Sequence, residues 1–315
     1  MHLRLLGPTC AGLLLAFSSW AQEPYMPLLT SDYPRVAALR KLPLELVQEA
    51  PDPRVLKAYA NNPKAMARYR TDLAAYNEQM QQAGRFWTFS PAVRVLRGQA
   101  ALDSALQDQQ PHLVLQAGKA SVGRDAAPAL WLKVLQKPAT ARRAQEQSVL
   151  GCFYTTQQML FVQWHDLFFP SDMVNTVQQM QRYLEANEAR PDEKKYLRAL
   201  EAELTASGPV IQRKTLLIDR NLLAPSVTPE QLARKYPYPV QVVDRSVIEQ
   251  AVLAADARYL YSHYVMIRGR QVYQLIDMET GRPLAYAKSG SIGVDPPVVE
   301  GWVLDGYAKF GAGRK

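Results

Sequence analysis

Cysteine is nearly missing from this sequence. Only Cys10 and Cys152 occur among 315 residues. The first lies in an apolar leader, so no internal disulfide is available once the leader is removed and the fold rests on its core. Histidine is scarce too, with four residues in all. His112, His165 and His263 take part in no H-x-H, H-x₃-H or C-x₂-C spacing, the arrangements that set two ligands on one metal. Long apolar runs are also lacking: the one at Cys10–Phe17 falls well short of the roughly 20 residues that span a bilayer. No low-complexity tract is present, and apolar residues make up 48% of the chain, which excludes a largely disordered protein.

Motifs of chemistry are equally sparse. Ser289-Gly290-Ser291-Ile292-Gly293 holds a serine among glycines but not in the G-x-S-x-G order of a nucleophile elbow. The Gly118–Gly123 stretch lacks the spacing of a phosphate-binding loop. Glu201 and Glu203 are two apart on a predicted helix and point away from each other. Asp192, Glu193 and Lys194 read as a first helical turn matching its dipole. Cys152 and His165, if they shared one helix, would lie about 20 Å apart along its axis and on different faces. A nucleophile and its base need hydrogen-bond reach. Cys152, between Gly151 and Phe153, therefore reads as a small buried residue, and His165, beside Trp164, as a histidine at a helix interface.

What is present begins with the leader. Met-His-Leu-Arg forms a short positive start, the apolar stretch follows, and Ser19-Trp20-Ala21 sets small residues where a signal peptidase reads them. Residues 1–21 are expected to be a signal peptide, cut between Ala21 and Gln22. Cys10 precedes the Ala-Gly-Leu-Leu-Leu run and lacks the upstream aliphatic residue of a lipobox, so a lipid anchor is not expected. The mature chain of roughly 294 residues is long enough for one large or two ordinary domains. It is expected to be exported to the periplasm or secreted, with no transmembrane helix after cleavage. Losing Arg4 lowers the formal charge from +8 by one. That mild basicity suits a membrane surface, an acidic polymer or simple solubility alike, and export makes nucleic acid an unexpected partner.

Prolines at 24, 27, 34, 43, 51 and 53 mark residues 22–60 as an extended lead-in. A first α/β unit then covers 61–150. Asn62 caps a helix opened by Pro63, with Met66, Tyr69, Leu73, Tyr76 and Met80 on one face and Gly84 closing it. Phe86–Phe89, Val93–Leu96, His112–Gln116 and Ala129–Leu135 read as strands, and Ala100–Leu106 as a helix. Residues 151–210 read as a helical connector, on apolar spacing at Phe153 to Phe168, Met173 to Leu184 and Leu197 to Leu204. The second unit, 211–315, has a strand at Lys214–Ile218, a helix capped by Thr228 and opened by Pro229, a strand at Val240–Val243, and a helix capped by Ser246. Three strands of an antiparallel meander follow, turning at Arg268-Gly269-Arg270 and at Met278-Glu279-Thr280-Gly281. The class is α+β, two mixed units with largely antiparallel sheets joined by a helical segment.

Sliding the sequence by 147 residues lays Val93–Gln116 on Val240–His263 without a gap. Identities are four in 24 (Val93/Val240, Val95/Val242, Leu106/Leu253, Leu113/Leu260). In each copy a strand, a short helix and a strand follow one another. An internal duplication is one reading; two α/β units sharing a pattern without common descent is the other.

For function, the most suggestive feature is Tyr259, Tyr261 and His263 on one strand face, with Tyr264 on the other and Arg258, Arg268 and Arg270 nearby. Aromatics beside arginines stack sugars or bases and hold anions, so Tyr259, Tyr261, His263, Arg268 and Arg270 form the candidate ligand-binding set. No catalytic residue, metal or cofactor is expected. The leading expectation is a non-enzymatic binding or envelope-associated structural module with a protein or polymer partner; the alternative is a hydrolase whose site unites Cys152 or a serine with a histidine.

Overall fold

A computed structural model describes residues 28–30, 36–122, 125–138, 145–153, 169–188, 193–267, 270–292 and 298–313. The leader 1–21, His165 and Arg268 lie outside them.

The first unit contains β1 (Leu28–Thr30), α1 (Val36–Leu39), β2 (Leu44–Gln48), α2 (Pro53–Ala58), α3 (Pro63–Gly84), β3 (Val93–Arg97), α4 (Gly98–Ala105), β4 (His112–Val122), β5 (Asp125–Gln136) and β6 (Gln145–Phe153). Next come α5 (Pro170–Ala186) and α6 (Glu193–Thr205). The second unit contains α7 (Gly208–Arg213), β7 (Thr215–Asp219), α8 (Pro229–Lys235), β8 (Val240–Val243), α9 (Arg245–Leu253), β9 (Tyr259–Ile267), β10 (Arg270–Asp277), β11 (Pro283–Ile292) and α10 (Gly301–Gly311). The class is α+β, built from two α/β units.

Each unit has one mixed sheet. The strand orders are β1-β6-β5-β4-β2-β3 and β11-β10-β9-β7-β8. In the first, β2 runs parallel to both β3 and β4, and β4, β5 and β6 form an antiparallel meander. In the second, β7 runs parallel to β8 and β9, and β9, β10 and β11 form the meander. The register agrees residue by residue. Leu44 faces Val93 and Leu113, while Leu216 faces Val240 and Leu260. Both neighbours of Leu216 lie 147 positions beyond those of Leu44. The β5–β6 ladder shifts register between Leu132 and Lys133. The β10–β11 ladder shifts between Leu275 and Ile276, which is the same place in the meander when counted from those pairs. In both ladders the extra residue, Val149 or Leu284, is buried.

Local chemistry explains the helices. The Asn62 side chain accepts from the Ala65 N–H at 3.1 Å, and Pro63 opens α3, as its sequence predicts. Gly84 is the last residue of α3, as expected; a Cβ there would collide with Leu46 and crowd Val93, so the glycine also lets α3 lie close on β2. Thr228 caps α8, accepting from the Gln231 N–H at 3.3 Å. Asp244, rather than Ser246, stands at the N-cap of α9.

Two expectations fail locally. Phe86–Phe89 is not a strand: backbone bonds from Phe86 to Ala83 and from Trp87 to Gly84 continue the helical turn, and Trp87 and Phe89 are buried against each other. Phe153 ends strand β6 instead of starting a helix. The lead-in also contributes more than a connection, since its residues Leu44–Gln48 form β2, the strand between β3 and β4.

A single cluster of buried apolar side chains runs through both units. Leu44, Leu46, Leu113 and Leu130 of the first sheet share it with Met173, Val177 and Met180 of α5, Ile248 of α9 and Tyr261 of β9. The opposite face of the first sheet has a smaller core of Val47, Leu102, Leu106, Val114 and Leu135 beneath α4. Helix α5 packs on α3 and β6 on one side and on α9 on the other. It is the shared layer between the units.

Candidate functional site

The ionisable groups buried most deeply together lie where α5 meets α9 and β9. Pro170-Ser171-Asp172 forms the first turn of α5. The Ser171 N–H donates to Glu249 Oε2 at 2.7 Å and its hydroxyl donates to Glu249 Oε1 at 2.9 Å. A carboxylate at a helix N-terminus satisfies free N–H groups and meets the positive end of the helix dipole. Glu249 is itself held by Arg245, one turn earlier on α9, whose Nε donates to Oε1 at 2.5 Å. Arg245 Nη2 also donates to Ser171 Oγ at 2.5 Å and lies 3.8 Å from Asp172 Oδ1. The guanidinium covers the Phe169 ring at 4.0 Å, a cation–π contact. His263 Nδ1 is 3.3 Å from Asp172 Oδ1, and the Tyr261 hydroxyl donates to the Ser171 carbonyl at 3.5 Å.

Burial sets the electrostatics. It pushes the Glu249 carboxyl above its ordinary value; Arg245 opposes this and Asp172 adds to it. Burial also works against the charge of Arg245, which Asp172 and Glu249 more than offset. The Tyr261 hydroxyl is pushed well up, chiefly by burial.

A second cluster lies under α4. His112 opens β4 with Nδ1 2.9 Å from Glu45 Oε1 and Nε2 2.9 Å from Asp108 Oδ1. Burial opposes protonation of this imidazole, but the bonds to Asp108 and Glu45 outweigh it and its pKa is raised. Asp108 is held below the ordinary carboxylate range, mainly by His112. Arg94 Nη1 approaches Glu45 Oε1 to 3.9 Å.

The residues singled out from the sequence fall differently from their expected grouping. Tyr261 and His263 do share a face, but that face is covered: they are 1% and 4% exposed. Tyr259 is half-buried, with the Arg258 guanidinium 5.0 Å from its ring centre. Tyr264 lies on the other face against Tyr273. Arg270 opens β10, paired with Ile267 and Ile292, and its side chain lies outside the described part. The set is thus divided between an interface and a sheet end and makes no open aromatic face among the described residues. Cys152 is 1% exposed on β6, and burial pushes its thiol up to about 12 despite a hydrogen bond with Thr176. Both histidines among the described residues are paired with carboxylates.

Sequence reading passes over Ser171, Asp172, Arg245 and Glu249. Two signals mark them in retrospect. Pro-Ser-Asp is a helix-opening pattern, and Arg245 with Glu249 is an opposite-charge pair at i,i+4. Neither says that the two helix starts meet. Among the described residues no group of three or more His, Cys, Asp or Glu side chains is placed to hold a metal ion, and no helix is long and apolar enough to cross a membrane. In comparisons with known proteins, the chain matches no family model, no curated protein and no solved structure.

Proposed function

We propose that this chain is an exported, non-enzymatic binding or structural module, made by duplication of one α/β unit and matured by cleavage before Gln22. The observation that carries the reading is the use made of Ser171. Its hydroxyl is held by Arg245 and Glu249, while the nearby His263 is turned to Asp172. A serine nucleophile needs a base within reach of its proton; this one is fixed in a contact that joins α5 to α9. The only thiol of the mature chain is buried and weakly acidic, the opposite of a reactive cysteine. Duplication is supported by the shared order of five strands, β6-β5-β4-β2-β3 and β11-β10-β9-β7-β8, by the 147-residue offset of β3 and β4 from β8 and β9, and by the matching bulges.

The test is direct labelling. The exported protein, treated with a fluorophosphonate probe, is expected to remain unlabelled, and its mass is expected to begin at Gln22. Labelling that disappears in Ser171→Ala and in His263→Gln would establish the hydrolase alternative instead.

A further inference from the structure

We infer that the open edge of β3 is a docking site for an extended, acidic segment of a partner polypeptide, which adds to the first sheet as a further strand. The inference rests on the non-enzymatic binding reading and names its surface.

β3 ends its sheet, paired with β2 alone. The Leu44 N–H donates to the Ala92 carbonyl at 2.8 Å. In a parallel ladder the backbone groups of alternate residues point to the same side, so Arg94 and Leu96 also face β2, Val93 and Val95 present their N–H and C=O groups outward, and Arg97 adds its N–H, its carbonyl being taken up at the N-cap of α4. Among the described residues nothing pairs with those outward groups. A row of free donors and acceptors is a template for strand addition.

The side chains choose the partner. Val93 and Val95 are 37% and 36% exposed, an apolar pair on one face of an edge strand. Arg97 shares that face and is exposed. Arg94, on the other face, keeps a side chain 63% exposed, with a loose approach to Glu45 and a coulombic attraction to Asp108. An incoming strand with β-branched residues beside the valines and carboxylates beside the arginines matches both faces. A second copy of β3 does not, because it would set arginine near arginine across the pair. The corresponding strand of the second unit differs on each point: Val240, Val242 and Val243 of β8 pack partly into the core, and the strand carries no charge.

The experiment uses the full mature chain and a fluorescein-labelled ten-residue peptide carrying Val-Glu-Val-Thr-Glu twice, which sets Val beside Val93 and Val95 and Glu beside Arg94 and Arg97, followed by anisotropy at low ionic strength. A peptide with Lys for Glu is the control. The acidic peptide is expected to bind at least about tenfold tighter than the basic one, and to slow hydrogen exchange at the amides of Val93, Val95 and Arg97. Val95→Pro removes an outward N–H without breaking a bond to β2, and should weaken binding by about tenfold or more. Arg94→Glu/Arg97→Glu leaves the backbone edge intact and should reverse the preference toward the basic peptide, so the inference stays testable even if the proline variant folds poorly. Absence of binding, equal binding of the two peptides, or indifference to the charge reversal overturns it. So does a peptide-free dimer, seen by sedimentation and lost in Val95→Pro, which would make a second copy the occupant. Any of these results alongside absent fluorophosphonate labelling removes the docking surface while leaving the non-enzymatic reading in place.

Discussion

Replacing Arg245 with Met is the sharpest probe of the contact between the units. Its guanidinium is 14% exposed and faces Glu249, Asp172 and the Ser171 hydroxyl. Methionine fills much of the volume but leaves two carboxyl groups buried without a cation. Breaking a buried ion pair from one side costs about 3–5 kcal/mol, and loss of the cation–π contact with half-exposed Phe169 adds about 0.5–1 kcal/mol. The pH dependence is a stricter test. Burial already holds the Glu249 pKa above its ordinary value, with Arg245 opposing. The folded state therefore binds that proton more tightly than the unfolded state, and the group's contribution to stability falls as pH rises through the raised value. Removing Arg245 raises the pKa further and widens that window. Urea unfolding followed by tryptophan fluorescence should show a loss at pH 7 of about 3–5 kcal/mol and a smaller loss at about pH 5, where the carboxyl takes its proton without penalty. A loss below about 1 kcal/mol, the value of an exposed pair, or an equal loss at the two pH values refutes the argument.

Other outcomes follow from the same geometry. His112→Gln should destabilise the fold below about pH 6.5, the unfolded histidine pKa, with the difference fading as pH rises through the raised folded value; Asp108, whose pKa is lowered, adds the opposite limb, its contribution lost as pH falls through its folded value. Unfolding midpoints across a pH series check both limbs. Cys152, buried with its thiol near 12, should resist a disulfide exchange reagent in the native protein and react at once in urea; rapid native reaction contradicts the buried placement. Gly281→Ala should cost about 1–3 kcal/mol, because φ there is +64° and a Cβ would collide with Gln178 of α5, and chemical denaturation measures it.

Local order was legible in the sequence to the extent that local residues dictate it. The stripe from Tyr69 to Met80, the caps Asn62 and Thr228 and the glycine at the β10–β11 turn each fix structure through neighbours in sequence. Val93–Arg97 and Val240–Val243 were readable because β-branched residues cluster there. β2 was hidden among prolines that, by the usual rule, break strands; Pro43 precedes Leu44 and Pro51 follows Gln48, so both fall outside it. β6 reads as Gln145-Glu146-Gln147-Ser148 at its start, polar residues with no period-two signal, because that end is exposed. The aromatic strand is legible as an element, but the burial of Tyr261 and His263 is not. Alternation shows that Tyr261 and His263 share a face but not which helix comes to lie on it, and the covering helix, α5, comes from the segment between the two units.

That arrival also explains why two units stack once. The contact is head to tail: the α9 side of the second unit lies on α5 after the first unit's meander. A contact of that kind has no built-in end, and repetition would generate an open array. The α4 side of the first unit is the equivalent surface, reached by the same 147-residue offset. Gly98 stands there where α9 has Arg245, and Leu102 where it has Glu249. Leu102 is buried in its own unit's smaller core, while the outward residues Gln99, Asp103 and Ser104 are exposed. At these two positions α4 therefore lacks the cation and the carboxylate by which α9 holds Asp172 and the start of α5. On the duplication proposed above, two residues of one short helix distinguish a surface that joins from one that stops. Transplanting the ion pair of α9 through the double substitution Gly98→Arg/Leu102→Glu should cost the first unit its core before it gains a partner. The double variant is expected to be less stable and no more associated by sedimentation than the unsubstituted chain; a stable variant with added self-association would show that the ion cluster alone specifies stacking.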